Sequence, residues 1–172
     1  CENNLLTSLD VSGATSLGIF YCDRNKLTSL DVSDSTGLRF LDCTSNSLYD
    51  VVLGSASPIS VDGTNQNLTV PVAFDQATGA YKSKQPFPLD GSHALSFTGS
   101  DIVYANGFLQ SDDPTASDTF TTSLGGGTSL SGTITLTISS FNVSFVDWDG
   151  TVLKSNPVEE GRAATAPADP AR

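Results

Sequence analysis

The residues with chemical potential in this chain are three cysteines, one histidine and a scatter of carboxylates. Cys1, Cys22 and Cys43 are evenly spaced. An odd number excludes an even disulfide framework, and no CxxC pair is present to bracket a zinc ion. As metal ligands or redox thiols they would need charged neighbours and exposure. As small apolar fillers of a buried row they need neither, and that is the reading the sequence favours; a disulfide between successive ones is disfavoured. His93 lies in DGSHAL with no second His, Cys or carboxylate at metal spacing, and reads as a solvated loop residue. No GxSxG elbow supports a Ser-His-Asp arrangement. Gly125–Gly127 lacks the phosphate-loop pattern and reads as a hairpin turn. Asp147 and Asp149 begin a D-x-D-G run, but the later Glu of a calcium loop is missing at the right distance, so the pair reads as a turn. Asp112-Asp113 and Glu159-Glu160 fall in turn-like segments and read as solubilising. The sequence therefore predicts no cofactor, no metal site and no enzyme within the chain.

The elements around these residues follow from composition and period. The chain has 172 residues, 38% hydrophobic and 16% charged, enough for one ordinary domain or two small ones. Its net charge of -11 repels nucleic acid and anionic bilayers. Ser, Thr and Gly are plentiful, a strand-and-turn composition. No apolar run of about 18 residues is present, so no membrane insertion is predicted. No targeting signal is visible, and a chain opening on Cys1 reads as a piece of a longer protein.

The 21-residue interval of the cysteines recurs in Asn4, Asn25 and Asn46, in Leu6, Leu27 and Leu48, and in Leu9, Leu30 and Val51. Val11, Val32 and Leu53 keep it, as do Leu17 with Leu38 and Phe20 with Leu41. Written out, the unit is L-x-x-[FL]-x-C-x-x-N-x-L-x-x-[LV]-x-[VL]. It resembles a leucine-rich repeat over residues 1–54, with Cys in a leucine slot. One unit cannot bury its apolar edge alone, so units stack and share a dry interior. Leu17, Phe20, Cys22 and Leu27 are predicted to point inward, and Leu38, Leu41, Cys43 and Leu48 to do so one unit later. Asn25 and Asn46 are predicted to satisfy backbone groups where the chain turns. LTSLDV at 27–32 alternates, so an extended outer face with little helix is expected.

Function on such a stack usually lies on the strand face between the buried slots. There the sequence places Ile19, Tyr21, Asp23, Arg24, Phe40, Asp42 and Thr44. Ile19, Tyr21 and Phe40 are predicted to face solvent as anchors for a partner; the alternative is that they simply tolerate exposure.

Residues 54–58 (GSASP) break the period. From Ile59 to Ser140 short strand signals alternate with turns and suggest an antiparallel β-sandwich that also closes the stack over Leu48 and Leu53. The strand signals fall at Leu68–Phe74, Ala80–Lys82, Ala94–Phe97, Asp101–Tyr104, Phe108–Gln110, Thr119–Leu124 and Gly132–Ile138. Pro71 points to an edge strand or a bulge, and Asp75–Gly79 to a hairpin loop. From Phe141 the alternation shifts phase by one, so a kink or sheet change is expected at Ser139-Ser140.

The tail carries Val143, Phe145, Asp147, Asp149-Gly150, Thr151, Val152, Leu153, Val158, Gly161 and the proline-spaced Ala166–Pro170. It resembles the opening half of the B-repeat module, a small β-grasp fold, of internalin-type bacterial surface proteins, which stand beside leucine-rich repeats. The chain stops where that module would continue, so this half is expected to pack on the middle sheet, stay partly mobile or pair with a second chain. Asp149-Gly150 predicts a type I′ hairpin, with Trp148 as a packing anchor. Ala163–Arg172 reads as a linker.

The expected fold is thus mainly β: a short leucine-rich-repeat solenoid at 1–56, an antiparallel β-sandwich at 57–140, and a partial β-grasp hairpin at 141–172. The resemblance implies a secreted or wall-anchored bacterial adhesion protein. Its expected partner is a host or microbial surface protein or glycan, with self-association through the truncated ends as a further possibility. Two alternatives stay open: a purely architectural cap and spacer, and the non-catalytic arm of a larger enzyme.

Overall fold

Ser, Thr and β-branched residues favour extended backbone, and strands joined by turns and loops make up the described chain. The computed structural model describes residues 1–54, 59–87 and 95–168, and no helix occurs among them. The protein is mainly β, as expected. His93, most of the GSASP break, Ala94 and the end of the Ala/Pro tail lie outside the described residues.

Residues 1–54 wind as stacked coils. β1 (Ile19–Tyr21) pairs parallel with β2 (Phe40–Asp42). β2 pairs parallel with the start of β3 (Ser60–Asp75), with Phe40 beside Ser60 and Asp42 beside Asp62. The register steps from Ile19 to Phe40 and then from Phe40 to Ser60, so the second step is the shorter by one position. Phe20, Cys22, Leu27, Leu30, Val32, Leu38, Leu41, Cys43, Leu48 and Val51 are all buried in one core. Repeated burial at matching positions is what a stack supplies and a single coil does not. The outer stretch 27–32 holds only an isolated parallel bridge, Asp31 to Val52.

At matching places along the stack the chain passes through one residue in the left-handed region: Arg24 after β1, Ser45 after β2, and likewise Asn3 and, within β3, Asn65, with φ of 51, 55, 56 and 58°. The turn leaves carbonyls facing inward, and an amide side chain serves them. Asn46 Nδ2 donates to the carbonyls of Cys22, Cys43 and Thr44 at 3.0–3.3 Å, while its Oδ1 accepts from Leu27 N at 3.0 Å. Asn25 repeats the pattern with Cys1, Cys22, Asp23 and Leu6.

β3 is 16 residues long and belongs to both halves of the molecule. It leaves β2 after Asp62, shifts register between Gly63 and Gln66, then pairs parallel with β9 (Thr128–Ile138) and antiparallel with β4 (Ala80–Ser83). The bulge brings Gln66 opposite Gly132. A Cβ at Gly132 would collide with the Gln66 carbonyl, so only glycine permits the approach. The remaining strands are β5 (Leu95–Phe97), β6 (Val103–Ala105), β7 (Phe108–Ser111) and β8 (Ser117–Gly125). They complete the order β5-β8-β9-β3-β4-β7-β6.

This arrangement corrects two expectations. The middle strands are neither antiparallel throughout nor a sandwich of two sheets: they belong to one continuous sheet, in which β3 and β9 run parallel over their whole contact. Nor does Pro71 mark an edge: β3 is central. The Pro71 carbonyl accepts from Lys84 N, so the ring nitrogen faces the same side, just past the last β4 pair, Val72–Ser83. The missing donor falls where β4 has run out.

The sheet wraps a second core of Leu68, Val72, Tyr81, Phe87, Ile102, Leu109, Ala116, Phe120, Ile134 and Leu136. The β8–β9 hairpin turns at Gly126-Gly127, both at positive φ. Leu124 and Leu130 near its tip are buried in the first core, against the coils. Leu48 is fully buried and Leu53 partly so.

At Ser139 the chain changes sheet, as the phase shift indicated. β10 (Ser140–Val146) and β11 (Val152–Glu159) form a separate two-stranded ribbon. Its turn is not the two-residue type I′ that Asp149-Gly150 suggested. Val146 pairs with Val152, Gly150 N donates to Asp147 O, and only Gly150 is left-handed (φ 88°), which makes a longer loop ending in a glycine bulge. Trp148 sits on that loop at 92% exposure and anchors nothing, because the tip lies beyond the reach of either core.

The ribbon's end is tied to the middle sheet. Phe74 N donates to Glu160 O, and Glu160 N to Ser139 O. Arg162 lies over the Phe74 ring at 3.7 Å and donates to Tyr81 Oη at 2.8 Å. Tyr81 Oη donates in turn to Glu159, and Lys84 pairs with Glu160, each at 2.5 Å. Gly161 (φ 88°) crosses the Phe74 backbone so closely that no side chain fits there. The contact with the middle sheet is confined to this end: Phe141, Val146, Val152 and Leu153 along the ribbon stay exposed.

Candidate functional site

The strand face is built by the parallel register. Between the buried residues of β1 and β2, outward side chains line up across strands: Ile19 beside Phe40, and Tyr21 beside Asp42. Ile19 is 60% and Tyr21 46% exposed, and Phe40 is half-buried. The Tyr21 and Phe40 rings meet at 5.6 Å between centroids, tilted by 54°. Side by side on one rigid sheet, they form an apolar platform with little conformational freedom left to lose on binding.

The polar residues border this platform unequally. Asp42 Oδ1 accepts from Thr44 N at 3.1 Å and Thr44 Oγ1 at 2.9 Å, so both side chains are held in place. Arg24 reaches out from its left-handed turn, with Nη1 3.0 Å from Asp23 Oδ2. Asp23 departs from expectation. It is 4% exposed, because its position lies directly after the buried Cys22, where the chain bends inward. It fixes Arg24 rather than facing a ligand, and its Oδ1 has no partner among the described residues. Of the seven expected residues, the structure thus gathers Ile19, Tyr21, Arg24, Phe40, Asp42 and Thr44 along one face and tucks Asp23 beneath it.

A third row was missed in the sequence. Ser60, Asp62 and Thr64 continue the face on β3, and Asp62 Oδ1 accepts from Thr64 N and Oγ1 at 3.4 and 3.0 Å, as Asp42 does from Thr44. The signal was present as D-x-T at 42–44 and 62–64. These two motifs lie one position closer together than the repeat, and a search at the repeat's own period passes over them.

The cysteines lie behind this face. Cys22 and Cys43 are fully buried free thiols with Sγ 3.5 Å from the Asp42 and Asp62 carbonyls; Cys1 is exposed. Burial, with the Asp42 and Asp23 charges adding to it, pushes the Cys22 thiol up to about 12, and burial pushes Cys43 up further. Neither is a nucleophile at neutral pH. Among the described residues no three His, Cys, Asp or Glu side chains converge as a metal-binding group.

No family model matches this chain, and a search of curated proteins finds no relative.

Proposed function

We propose that the chain belongs to an internalin-like bacterial cell-surface protein, with residues 1–54 as part of a leucine-rich-repeat solenoid. In this reading it is non-catalytic and binds a surface protein or a glycan through the strand face. Ile19, Tyr21 and Phe40 are the anchors, and Arg24, Asp42 and Thr44 supply polar selectivity. The observation that carries the reading is the solvent-facing Tyr21–Phe40 pair. Adjacent large apolar side chains on the outside of an acidic, Ser/Thr-rich protein offer a partner an apolar area to cover. The 21-residue pattern and the tail motifs support the bacterial surface setting.

The architectural reading is favoured by a different feature, the Arg162–Tyr81–Glu159 knot that fastens the ribbon to the sheet. A spacer needs such rigid joints and needs no aromatic platform.

One substitution pair separates the two. Tyr21→Ser with Phe40→Ser, made in the whole protein, is tested for adhesion to host cells, mucin and a glycan array. Loss of binding with the fold retained supports recognition through this face. Undiminished binding leaves the strand face without that role and favours the spacer.

A further inference from the structure

Beyond the strand face, the register of the middle sheet creates a second surface of different chemistry. At the β3 bulge Thr64 and Asn65 are pushed outward as a wall. Next to it the floor is backbone, because Gln66, Gly132 and Phe120 form one row across the strands, and Gln66 and Phe120 turn their side chains inward. The result is an open trough of about 820 Å³. Its rim is made by the outward side chains of β3, β8 and β9, among them Asn67, Thr121, Ser131 and Thr133.

Two properties of this trough bear on what it can hold. It contains no charged residue, in a protein whose net charge is -11. And the side chains of Asn65, Asn67, Thr121, Ser131 and Thr133 hold no hydrogen-bond partner among the described residues, whereas Ser117 and Thr135 at its end bond each other at 3.0 Å. Each hydroxyl and amide both donates and accepts. Neighbouring rows are about 4.8 Å apart across the strands, on the scale of a pyranose ring.

We propose that this trough binds a neutral polysaccharide. A sugar chain presents the same mixture of donors and acceptors, without charge. An apolar helix or lipid finds no apolar floor here, and an acidic glycan or nucleic acid meets no cation and an unfavourable field. The site shares β3 with the strand face but uses different residues, so it does not depend on the role proposed for Tyr21 and Phe40.

The test is affinity electrophoresis of the intact chain in gels containing dextran, yeast mannan or a soluble β-1,3-glucan, with hyaluronan as the acidic control. At least one neutral polymer retards the protein, hyaluronan does not, and retardation survives a rise in salt from about 50 to about 500 mM. Thr121→Arg, at an exposed position, weakens it at least about tenfold, and the gentler pair Asn67→Ala with Thr121→Ala weakens it in the same direction. Circular dichroism checks that each variant is folded. Tyr21→Ser with Phe40→Ser leaves retardation intact. The proposal is overturned if no neutral polymer retards the protein, if folded trough variants migrate as the parent does, or if only the Tyr21/Phe40 variant loses the effect.

Discussion

Gln66 does for the third coil what Asn46 does for the second, with one more methylene. Gln66 Nε2 donates to the carbonyls of Cys43, Gly63 and Thr64 at 2.9–3.4 Å, and its Oε1 accepts from Leu48 N at 2.9 Å. Asn46 makes the equivalent set one coil earlier. The longer side chain accompanies the shorter step in register, from Phe40 to Ser60. Both residues are buried, so these bonds exchange with no water.

Removing either amide strands buried backbone groups. Asn46→Ala is expected to destabilise the protein by about 2–4 kcal/mol. Gln66→Asn, which keeps the chemistry but shortens the reach, should cost about 1–3 kcal/mol. Urea midpoints measure both. A loss below about 0.5 kcal/mol for Asn46→Ala, the range of an indifferent surface change, would show that the carbonyls are served some other way.

The buried thiols make stability fall at alkaline pH. In the unfolded chain a thiol ionises near about 8.5, and the folded Cys22 only at about 12. Below the unfolded value both states keep the proton and nothing is lost. Above it only the unfolded chain ionises, so folding weakens by about 1.4 kcal/mol per pH unit per thiol until the folded value is reached. Urea midpoints between about pH 9 and about pH 11 should therefore decline more steeply in the parent than in Cys22→Ala/Cys43→Ala. Equal slopes contradict the burial. At pH near 8 an alkylating reagent should modify Cys1 alone until the protein is unfolded.

Arg162 is expected to act locally. Arg162→Ala removes the cation over Phe74 and the bond to Tyr81 Oη, while both cores remain intact. Hydrogen exchange in β10 and β11 should quicken by about tenfold or more, with β3, β8 and β9 unchanged. Ribbon amides that exchange at the parental rate would mean that the backbone bonds at Phe74 and Ser139 are sufficient alone.

Trp148 should behave as a free indole. Its fluorescence is expected to be quenched by acrylamide as readily in the folded protein as in urea, and Trp148→Ser should leave the urea midpoint within about 0.5 kcal/mol of the parent. A shielded, blue-shifted emission in the isolated chain would show the loop folded against something.

The buried half of the stacked coils was legible because stacking forces one residue type to recur at each inward slot. Leu27, Cys22, Asn25 and their counterparts one coil later are all where the period put them. What escaped was the place where the period changes. At Gly63 the cysteine slot is empty, and a Cβ there would collide with the Leu130 side chain, so β9 supplies the missing apolar group. A contact from so far down the chain leaves no mark in a local pattern. Pro71 misled for a similar reason: its effect depends on where the partner strand ends, and a sequence shows the proline without the partner. At the candidate face, spacing gave Ile19, Tyr21 and Phe40 their outward positions, but the burial of Asp23 follows from the bend after Cys22, which alternation does not predict.

The shared β3 also decides how the molecule meets tension. The coils are attached to its beginning, and the ribbon is attached to the end of its parallel partner β9. Tension on the chain beyond β11 loads the β10–β11 pairs one after another from their Ser140–Glu159 end. After that, β3 and β9 are drawn in opposite directions along their common axis, and the bonds from Gly63–Leu130 to Val72–Ile138 are loaded together instead of in turn. The join between the two cores has the geometry of a shear clamp, and the ribbon that of a zipper.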